Sequence, residues 1–236
     1  MKTLIIIPAY NEADNLPKLF HSLKETGENY DIVVINDCSK DDTEAVCHEH
    51  GIKVISLPVN LGIGGAVQTG YRYALYKDYD AAVQVDGDGQ HDPQFIRFLI
   101  KRLNEGHDLC IGSRFIENEG FQSSKSRRVG IKYFSWLIGL LTRKRITDPT
   151  SGFRACNREV IQLFANEYPK DFPEPETVVT VLRNKLKVCE MPVIMKSREG
   201  GVSSITNRKA IYYMIKVSLA IMIAAISKKS VVYLND

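Results

Sequence analysis

The chain has few cysteines, and their spacing gives no sign of a disulfide framework or a zinc-binding motif. The five cysteines are odd in number and widely separated, and no two of them form a C-x-x-C pair. A reducing compartment such as the cytosol fits this usage best. The run Cys47-His48-Glu49-His50 contains possible metal ligands, but adjacent side chains on a helix point in different directions. We interpret this run as the end of a surface helix.

Long hydrophobic runs are also missing. A helix needs about 20 mainly apolar residues to span a bilayer, and the nearest approach, residues 210–226, is interrupted by Lys216. Met1 and Lys2 lead directly into the apolar run Leu4–Ile7, which predicts a first core strand and not a signal peptide. With 44% hydrophobic and 25% charged residues, the composition is that of a globular protein. We expect a single domain over residues 1–236.

The glycine fingerprints of common phosphate-binding folds are absent. The cluster Gly62-Ile63-Gly64-Gly65 has Val67 where a dinucleotide fingerprint needs glycine, and the first βα turn has no glycine. No Gly-Lys-Ser/Thr sequence ends a P-loop. The cluster therefore predicts a helix start that allows close packing or the approach of a nucleotide.

What is present is an alternation of short apolar runs with helical patterns, which predicts an α/β fold with a mostly parallel sheet flanked by helices. Apolar residues recur at helical spacing from Leu16 to Leu23, behind a candidate cap at Asp14. Pro93 begins a second predicted helix that ends near Glu105. Residues 169–175 predict a proline-rich loop, and a long helix ends the chain. The predicted strands are Thr3–Pro8, Asp31–Asn36, Lys53–Leu57, Asp80–Val85 and Asp108–Gly112.

Acidic side chains follow several of these strands. In open parallel sheets ligands bind beyond the carboxyl ends of the strands, and the fourth strand is followed there by Asp86-Gly87-Asp88. Residues i and i+2 of an extended chain point to the same face, so the two carboxylates would share one ligand. Mg²⁺ or Mn²⁺, which takes its remaining ligands from water and substrate phosphates, suits such oxygen donors. An acidic turn without a ligand is the alternative for this pair on its own.

Seven short motifs follow one another along the chain and together cover almost the whole sequence. They are Ile7-Pro8-Ala9-Tyr10-Asn11-Glu12, Asn36-Asp37-Cys38-Ser39, Asn60-Leu61-Gly62, Asp86-Gly87-Asp88-Gly89-Gln90-His91, Gly112-Ser113-Arg114, Asp148-Pro149-Thr150-Ser151-Gly152-Phe153-Arg154 and Arg198-Glu199-Gly200-Gly201-Val202-Ser203-Ser204. As a set they are specific, and they resemble the motifs of family 2 glycosyltransferases, in particular the dolichol-phosphate mannose synthase-like and bacterial polyprenyl-phosphate glycosyltransferase branch. The chain lacks the Gln-x-x-Arg-Trp signature of processive members, which disfavours polymer synthesis.

The resemblance implies a GT-A fold and a nucleotide-sugar donor site. Residues 1–112 would form the nucleotide-sugar-binding half, residues 113–206 the acceptor side, and residues 207–236 a C-terminal helix and tail. Asp86, Asp88 and Gln90 would hold the metal and the sugar diphosphate. The other implied nucleotide-sugar contacts are Pro8, Ala9, Tyr10, Glu12, Asp37 and Gly65. The implied acceptor-phosphate contacts are Arg114, Arg128, Arg198 and Ser203, and the implied catalytic residues are Asp88, Arg114, Asp148 and Glu176.

The sequence is compatible with two hypotheses for the acceptor substrate. One hypothesis is inverting transfer from a UDP- or GDP-sugar to a polyprenyl phosphate, which arrives ionised and needs no strong base. The other is transfer to a saccharide hydroxyl in cell-surface polysaccharide or glycoconjugate synthesis, which needs a base such as Glu174, Glu176 or Asp148. A nucleotide-sugar-binding protein without activity is a third reading.

The region from Gly120 to Thr147 carries seven Lys or Arg residues and no acid. Aromatic and aliphatic residues stand among these charges, a composition suited to a lipid interface. We therefore predict peripheral contact at the inner, cytoplasmic face of the cell membrane. Packing in the core, against a second copy of the chain or against a small membrane protein is the alternative for this segment and for residues 210–226. The net charge of +3 is modest, and no nucleic-acid partner is expected.

Overall fold

The computed structural model describes residues 1–121, 124–196 and 207–227. Within these ranges, seven strands form one sheet in the order β3-β2-β1-β4-β6-β5-β7. All neighbouring strands are parallel except β6, which runs antiparallel to both β4 and β5. The predicted α/β arrangement with a mostly parallel sheet is confirmed. The strands are β1 Thr3–Ala9, β2 Asp31–Asn36, β3 Lys53–Ser56, β4 Ala81–Gln84, β5 Leu109–Ser113, β6 Arg154–Asn157 and β7 Val188–Pro192.

Helices cover both faces of this sheet. Because side chains alternate along a strand, β1 sends Leu4 and Ile6 into one apolar core and Ile5 and Ile7 into the other. This burial on both faces explains the uninterrupted apolar runs in the sequence. The helices are α1 Leu16–Glu25, α2 Thr43–Glu49, α3 Gly62–Tyr76, α4 Ile96–Asn104 after a short 3-10 turn at Pro93–Phe95, α5 Lys125–Thr142, α6 Arg158–Asn166, α7 Pro173–Arg183 and α8 Asn207–Ile226.

The structure differs from the sequence-based prediction in three places. Strands β6 and β7 were not predicted. The proline-rich segment 169–175 is a loop only as far as Phe172, because Pro173 takes the first position of α7, where proline needs no hydrogen-bond partner. Asn15, not Asp14, occupies the N-cap of α1.

Helix α8 packs against α5 and α7 at the end of the described chain. The edge of the Phe134 ring meets the Tyr213 ring, with centroids 5.7 Å apart, and the Tyr213 ring likewise contacts Phe172 at 4.4 Å. Ser218 Oγ donates to Tyr133 Oη at 3.2 Å. Within the described ranges, no helix has both the length and the apolar character that crossing a bilayer requires.

Candidate active site

The loops after β1 and β2 are joined by hydrogen bonds at the carboxyl edge of the sheet. Asn11 N donates to Ser39 Oγ at 2.9 Å, and Lys40 N donates to Asn11 Oδ1 at 2.8 Å. Glu12 N donates to Thr43 Oγ1 at 3.0 Å. Asn11 has a φ of 56°, a left-handed conformation that asparagine tolerates. These hydrogen bonds between the two loops fix the path of the segment Tyr10–Glu12 as it leaves β1.

Asp37 caps the start of α3. Its Oδ1 accepts from Leu61 N at 2.7 Å and its Oδ2 accepts from Gly62 N at 2.8 Å. Its own N–H donates to Ala9 O at 2.8 Å, and its side chain is buried. A carboxylate at a helix N-terminus is stabilised by the free amides and by the helix dipole. The predicted nucleotide contact at Asp37 thus also binds the start of α3 to β1 and β2.

Asp86 and Asp88 lie beyond the end of β4, where Gly87 and Asp88 form a turn and not extended chain. The same-face argument for an extended i, i+2 pair therefore does not describe them. Asp86 N donates to Nδ1 of the buried His91, whose Nε2 lies 3.6 Å from Asp86 Oδ2. Asp88 Oδ1 accepts from Gln90 N at 3.1 Å, which closes the turn. His91 stacks on Phe153 with ring centroids 4.8 Å apart, so this turn is held against the segment before β6.

Two glycines show how closely the neighbouring loops approach the Asp86–Asp88 turn. A Cβ at Gly87 would lie 3.3 Å from both Pro8 O and Glu12 Cγ. A Cβ at Gly152 would lie 3.0 Å from Asp86 Oδ2 and 3.1 Å from Asp86 Oδ1. The structure therefore brings Pro8, Glu12, Asp86 and the 148–152 loop together.

Arg114 and Asp148 form a buried ion pair beside this edge. The side chain of Asp148 is fully buried, and that of Arg114 is 8% exposed. Glu190 of β7 supports the pair, because its carboxylate accepts from Asp148 N at 2.8 Å and Thr147 N at 2.7 Å. Burial raises the pKa of Glu190, although these amides favour its charged form. The predicted acceptor-phosphate contact and the predicted base candidate are thus partners of each other.

The two glutamates at the start of α7 have different surroundings. Burial raises the pKa of Glu174, the charge of Arg154 opposes this rise, and the negative charge of Asp86 adds to it. Burial also raises the pKa of Glu176, but there the neighbouring charge is Glu167. The electrostatic surroundings of Asp86 therefore include Glu174, whereas those of Glu176 are set by Glu167.

The remaining predicted site residues are spread over the same face and beyond it. Tyr10 is 44% exposed and available to a ligand, whereas Ala9 is buried in the sheet. A Cβ at Gly65 would lie 2.4 Å from Leu61 Cβ, so this glycine accommodates a side chain of the preceding turn. Gln90 donates to Lys196 O at 3.4 Å. Arg198 and Ser203 lie outside the described residues.

A groove of about 1060 Å³ runs along α5. At one end it reaches Phe115 and Thr147, which are the sequence neighbours of Arg114 and Asp148. Arg128, Lys132 and Arg145 supply positive charge, and the other lining residues are mainly apolar, among them Val129, Ile131, Trp136 and Leu140.

Several residues of the site were not predicted as functional. Gln84 is fully buried at the end of β4 and donates to Asp86 Oδ1 at 3.3 Å, while its Oε1 has no partner among the described residues. One polar residue in the run Ala81-Ala82-Val83-Gln84-Val85 was a usable signal for it. Glu190 gave no such signal, because the strand that carries it was not recognised.

Comparisons with known proteins identify the family of this chain. The model of Glycosyl transferase family 2 matches residues 4–164. Polyprenol monophosphomannose synthase of Mycolicibacterium smegmatis is 29% identical over 231 residues, which cover 92% of this chain and 86% of that protein. Undecaprenyl-phosphate mannosyltransferase of Micrococcus luteus is 30% identical over 219 residues, 87% of this chain and 88% of that protein.

The fold is also found in a solved structure. The structure of Mycobacterium tuberculosis glucosyl-3-phosphoglycerate synthase in complex with Mn²⁺, UDP-glucose and phosphoglyceric acid aligns with a TM-score of 0.74 and 18% identity. It covers 97% of this chain and 81% of that one. The predicted family and its dolichol-phosphate mannose synthase-like branch are confirmed. The chain therefore belongs to glycosyl transferase family 2, has the GT-A fold and is a glycosyltransferase.

Proposed function

We propose that this enzyme transfers a sugar from a UDP- or GDP-sugar directly to a polyprenyl phosphate, with inversion and with Mg²⁺ or Mn²⁺ as cofactor. The observation that supports a polyprenyl-phosphate acceptor is the groove along α5, which combines apolar walls with Arg128, Lys132 and Arg145. An isoprenoid chain needs the walls and a phosphate needs the cations. The printed names of the Mycolicibacterium and Micrococcus relatives describe polyprenol and undecaprenyl-phosphate acceptors, which supports the same choice.

The chemistry of the Asp86–Asp88 turn fits a divalent metal. The side chain of Asp86 is 36% exposed, and Gly152 leaves its two oxygens uncovered by a side chain. In the described part of the chain, no group of three or more His, Cys, Asp and Glu side chains is placed to hold a metal. Two carboxylates suit an ion that takes its other ligands from water and a diphosphate. Asp86 and Asp88 would hold it, with Gln90 as a further contributor, and when bound it neutralises the departing diphosphate.

The protein's own residues would bind and orient the two substrates. Pro8, Tyr10 and Glu12 would contact the nucleoside next to the Asp86 turn. Arg114 would direct its guanidinium toward phosphate while Asp148 fixes its orientation. A phosphate monoester has a second pKa near about 6 and is mostly ionised at neutral pH. No general base is then needed, which agrees with an Asp148 carboxylate that is fully engaged by hydrogen bonds.

The acceptor would reach this site from a membrane surface. Helix α5 exposes Val129, Trp136 and Leu140, with exposed fractions of 69%, 61% and 63%. Helix α8 packs beside it and exposes a second apolar stripe consisting of Tyr212, Ile215, Leu219, Met222, Ile223 and Ile226. Basic residues beside an apolar face favour anionic lipid. We therefore place the enzyme at the inner face of the cell membrane, with residues 113–206 forming the acceptor side and residues 207–236 adding to the contact.

One observation favours a second acceptor. Glu174 lies in the field of Asp86, and burial raises its pKa, which moves a carboxylate toward the range of a useful general base. A saccharide hydroxyl would need such a base. Glu174→Gln separates the two acceptors, because it would abolish transfer to a hydroxyl and spare transfer to a phosphate.

The test is transfer of labelled sugar from a panel of UDP- and GDP-sugars to a short-chain polyprenyl phosphate, with Mn²⁺, Mg²⁺ or EDTA. We expect a lipid-soluble labelled product with one donor, lost in EDTA. Asp88→Ala should lower kcat/KM by about 10² or more with an unchanged thermal transition. Full activity in this variant would exclude Asp88 from the site. Binding of a nucleotide sugar without any turnover would indicate a sensor and contradict the proposal.

A further inference from the structure

Arg154 is the first residue of β6 and lies in the middle of the sheet. It pairs with Gln84 of β4 on one side and with Ile111 of β5 on the other. Its side chain is fully buried and is the largest side chain in the core to be so. Placing a guanidinium there has a large free-energy cost unless its donors are satisfied. An apolar residue of similar size would fill this position without that cost, so the presence of arginine needs an explanation.

The partners of Arg154 are neutral oxygen atoms. Its Nε and Nη2 donate to Ser151 O at 3.1 and 2.6 Å. Its Nη1 donates to Thr177 Oγ1 at 2.9 Å and to Glu174 O at 3.4 Å. No carboxylate among the described residues forms an ion pair with it. The guanidinium thus binds the 148–152 loop to the first turns of α7.

One of these two ends borders the donor site directly. Ser151 precedes Gly152, where an added Cβ would lie 3.0 Å from Asp86 Oδ2 and 3.0 Å from Gln84 Nε2. The Gly152 backbone therefore lies so close to Asp86 that no side chain fits between them, and a shift of this backbone would move or crowd the Asp86 carboxylate. The other end carries Glu174, whose pKa responds to the charges of both Arg154 and Asp86.

We propose that Arg154 is a positioning residue of the donor site, which holds the Ser151–Gly152 backbone against Asp86 and so sets where Asp86 meets the metal and the diphosphate. The inference rests on the proposed function. A guanidinium is suited to this role because its rigid fork reaches acceptors in two directions at once. Lysine would provide the charge without the fork.

The test compares Arg154→Lys, Arg154→Met and Gly152→Ala with the wild type, using Asp86→Ala as the control. Mn²⁺ affinity in the presence of UDP or GDP is measured by electron paramagnetic resonance. Binding of UMP or GMP in EDTA is measured by calorimetry, and folding by circular dichroism. We expect both Arg154 variants to weaken Mn²⁺ binding about 10-fold or more and to leave nucleoside monophosphate binding unchanged. Gly152→Ala, which keeps Arg154, should weaken Mn²⁺ binding with a normal thermal transition.

The outcomes separate this inference from the proposed function. Unchanged Mn²⁺ affinity in folded Arg154 variants, with Mn²⁺ binding lost in Asp86→Ala, overturns the role of Arg154 and keeps the metal site. Retained Mn²⁺ binding in Asp86→Ala overturns both. If the Arg154 variants do not fold, Thr177→Val decides, because it removes one acceptor of Arg154 and keeps the side-chain shape. Weaker Mn²⁺ binding in that variant supports the inference, and unchanged binding overturns it.

Discussion

The guanidinium of Arg114 clamps the carboxylate of Asp148, with Nε 2.7 Å from Oδ2 and Nη2 2.8 Å from Oδ1. This bidentate geometry orients Arg114 more strictly than a single contact would. It also occupies both oxygens of Asp148, and Oδ1 accepts a further hydrogen bond from Thr150 Oγ1 at 3.1 Å. The relationship makes Asp148 a support for Arg114, whose guanidinium we propose to meet a phosphate, and it leads to the first prediction.

Asp148→Ala should lower the free energy of unfolding by about 3–5 kcal/mol, because it leaves the Arg114 charge buried without its partner. Urea denaturation measures this change. The control is Arg158→Ala, which removes the ion pair between Arg158 and Asp78. The two atoms of that pair lie 2.8 Å apart, and the side chains of Arg158 and Asp78 are 49% and 79% exposed. That pair should contribute less than about 1 kcal/mol. Equal losses in the two variants would contradict the account of the buried pair.

Gly64→Ala should destabilise the protein by about 1–3 kcal/mol, because the new Cβ would lie only 2.1 Å from Pro169 O and 2.3 Å from Lys170 O. The loop before α7 would have to move away from α3. Gly139→Ala is the control, since this glycine of α5 has only Lys144 O within reach, at 3.9 Å. Alanine there should stabilise by about 0.5–1 kcal/mol. Thermal unfolding of both variants checks the opposite signs.

Glu176→Gln should stabilise the fold at neutral pH and not in acid. Burial, with the charge of Glu167, raises the pKa of Glu176 above its ordinary value of 4.5. The unfolded chain therefore ionises this carboxyl at a lower pH than the folded chain, and the wild type loses stability as pH rises from 4.5 through the folded pKa. Glutamine cannot ionise and avoids the loss. Unfolding free energies of both proteins are measured from pH 4 to 7.5. The stability advantage of the variant over the wild type should grow as the pH rises, and a difference that is constant with pH would refute the explanation.

The variant carrying both Trp136→Ala and Leu140→Ala should bind anionic vesicles at least about 10-fold more weakly, because two exposed apolar anchors of α5 are removed. Tyr76→Ala is the control, as this tyrosine of α3 is 77% exposed outside α5 and α8. Co-sedimentation with vesicles rich in anionic lipid, repeated at high salt, gives the affinity. If the double variant binds as the wild type does and the wild type is a dimer in solution, the face instead joins two copies of the chain.

Strands β1 to β5 were predictable because each is a short apolar run followed by polar residues, and β2 has the predicted bounds Asp31–Asn36. Strand β6 was not, because its four residues begin with Arg154, whose charge is compensated by Ser151 O and by Thr177 Oγ1, 23 positions away. When a buried arginine is hydrogen-bonded by a residue far along the chain, the sequence around it shows no apolar strand pattern.

The proposed donor side of the site was more predictable than the proposed acceptor side for a related reason. Pro8 lies near the end of β1, and Glu12 and Asp86 follow the parallel strands β1 and β4, so chain order and topology bring them together. Glu174 and Glu176 differ by two positions on one helix, and only packing decides which of them faces Asp86. The composition of α5 indicated its exposed apolar face, but not the groove beside it.

The antiparallel strand between β4 and β5 has a consequence for the order in which the sheet can assemble during synthesis. Strand β4 ends at Gln84, but its second neighbour is complete only at Asn157. A nascent chain that has emerged as far as α5 therefore carries β4 with an open, apolar edge, the kind of edge that pairs with other chains. Arg154 pairs with Gln84 where β6 closes this edge, and the same docking would place the 148–152 loop beside Asp86. A chain that stalls before this step would therefore lack both its central strand pairing and the loop that lies next to Asp86.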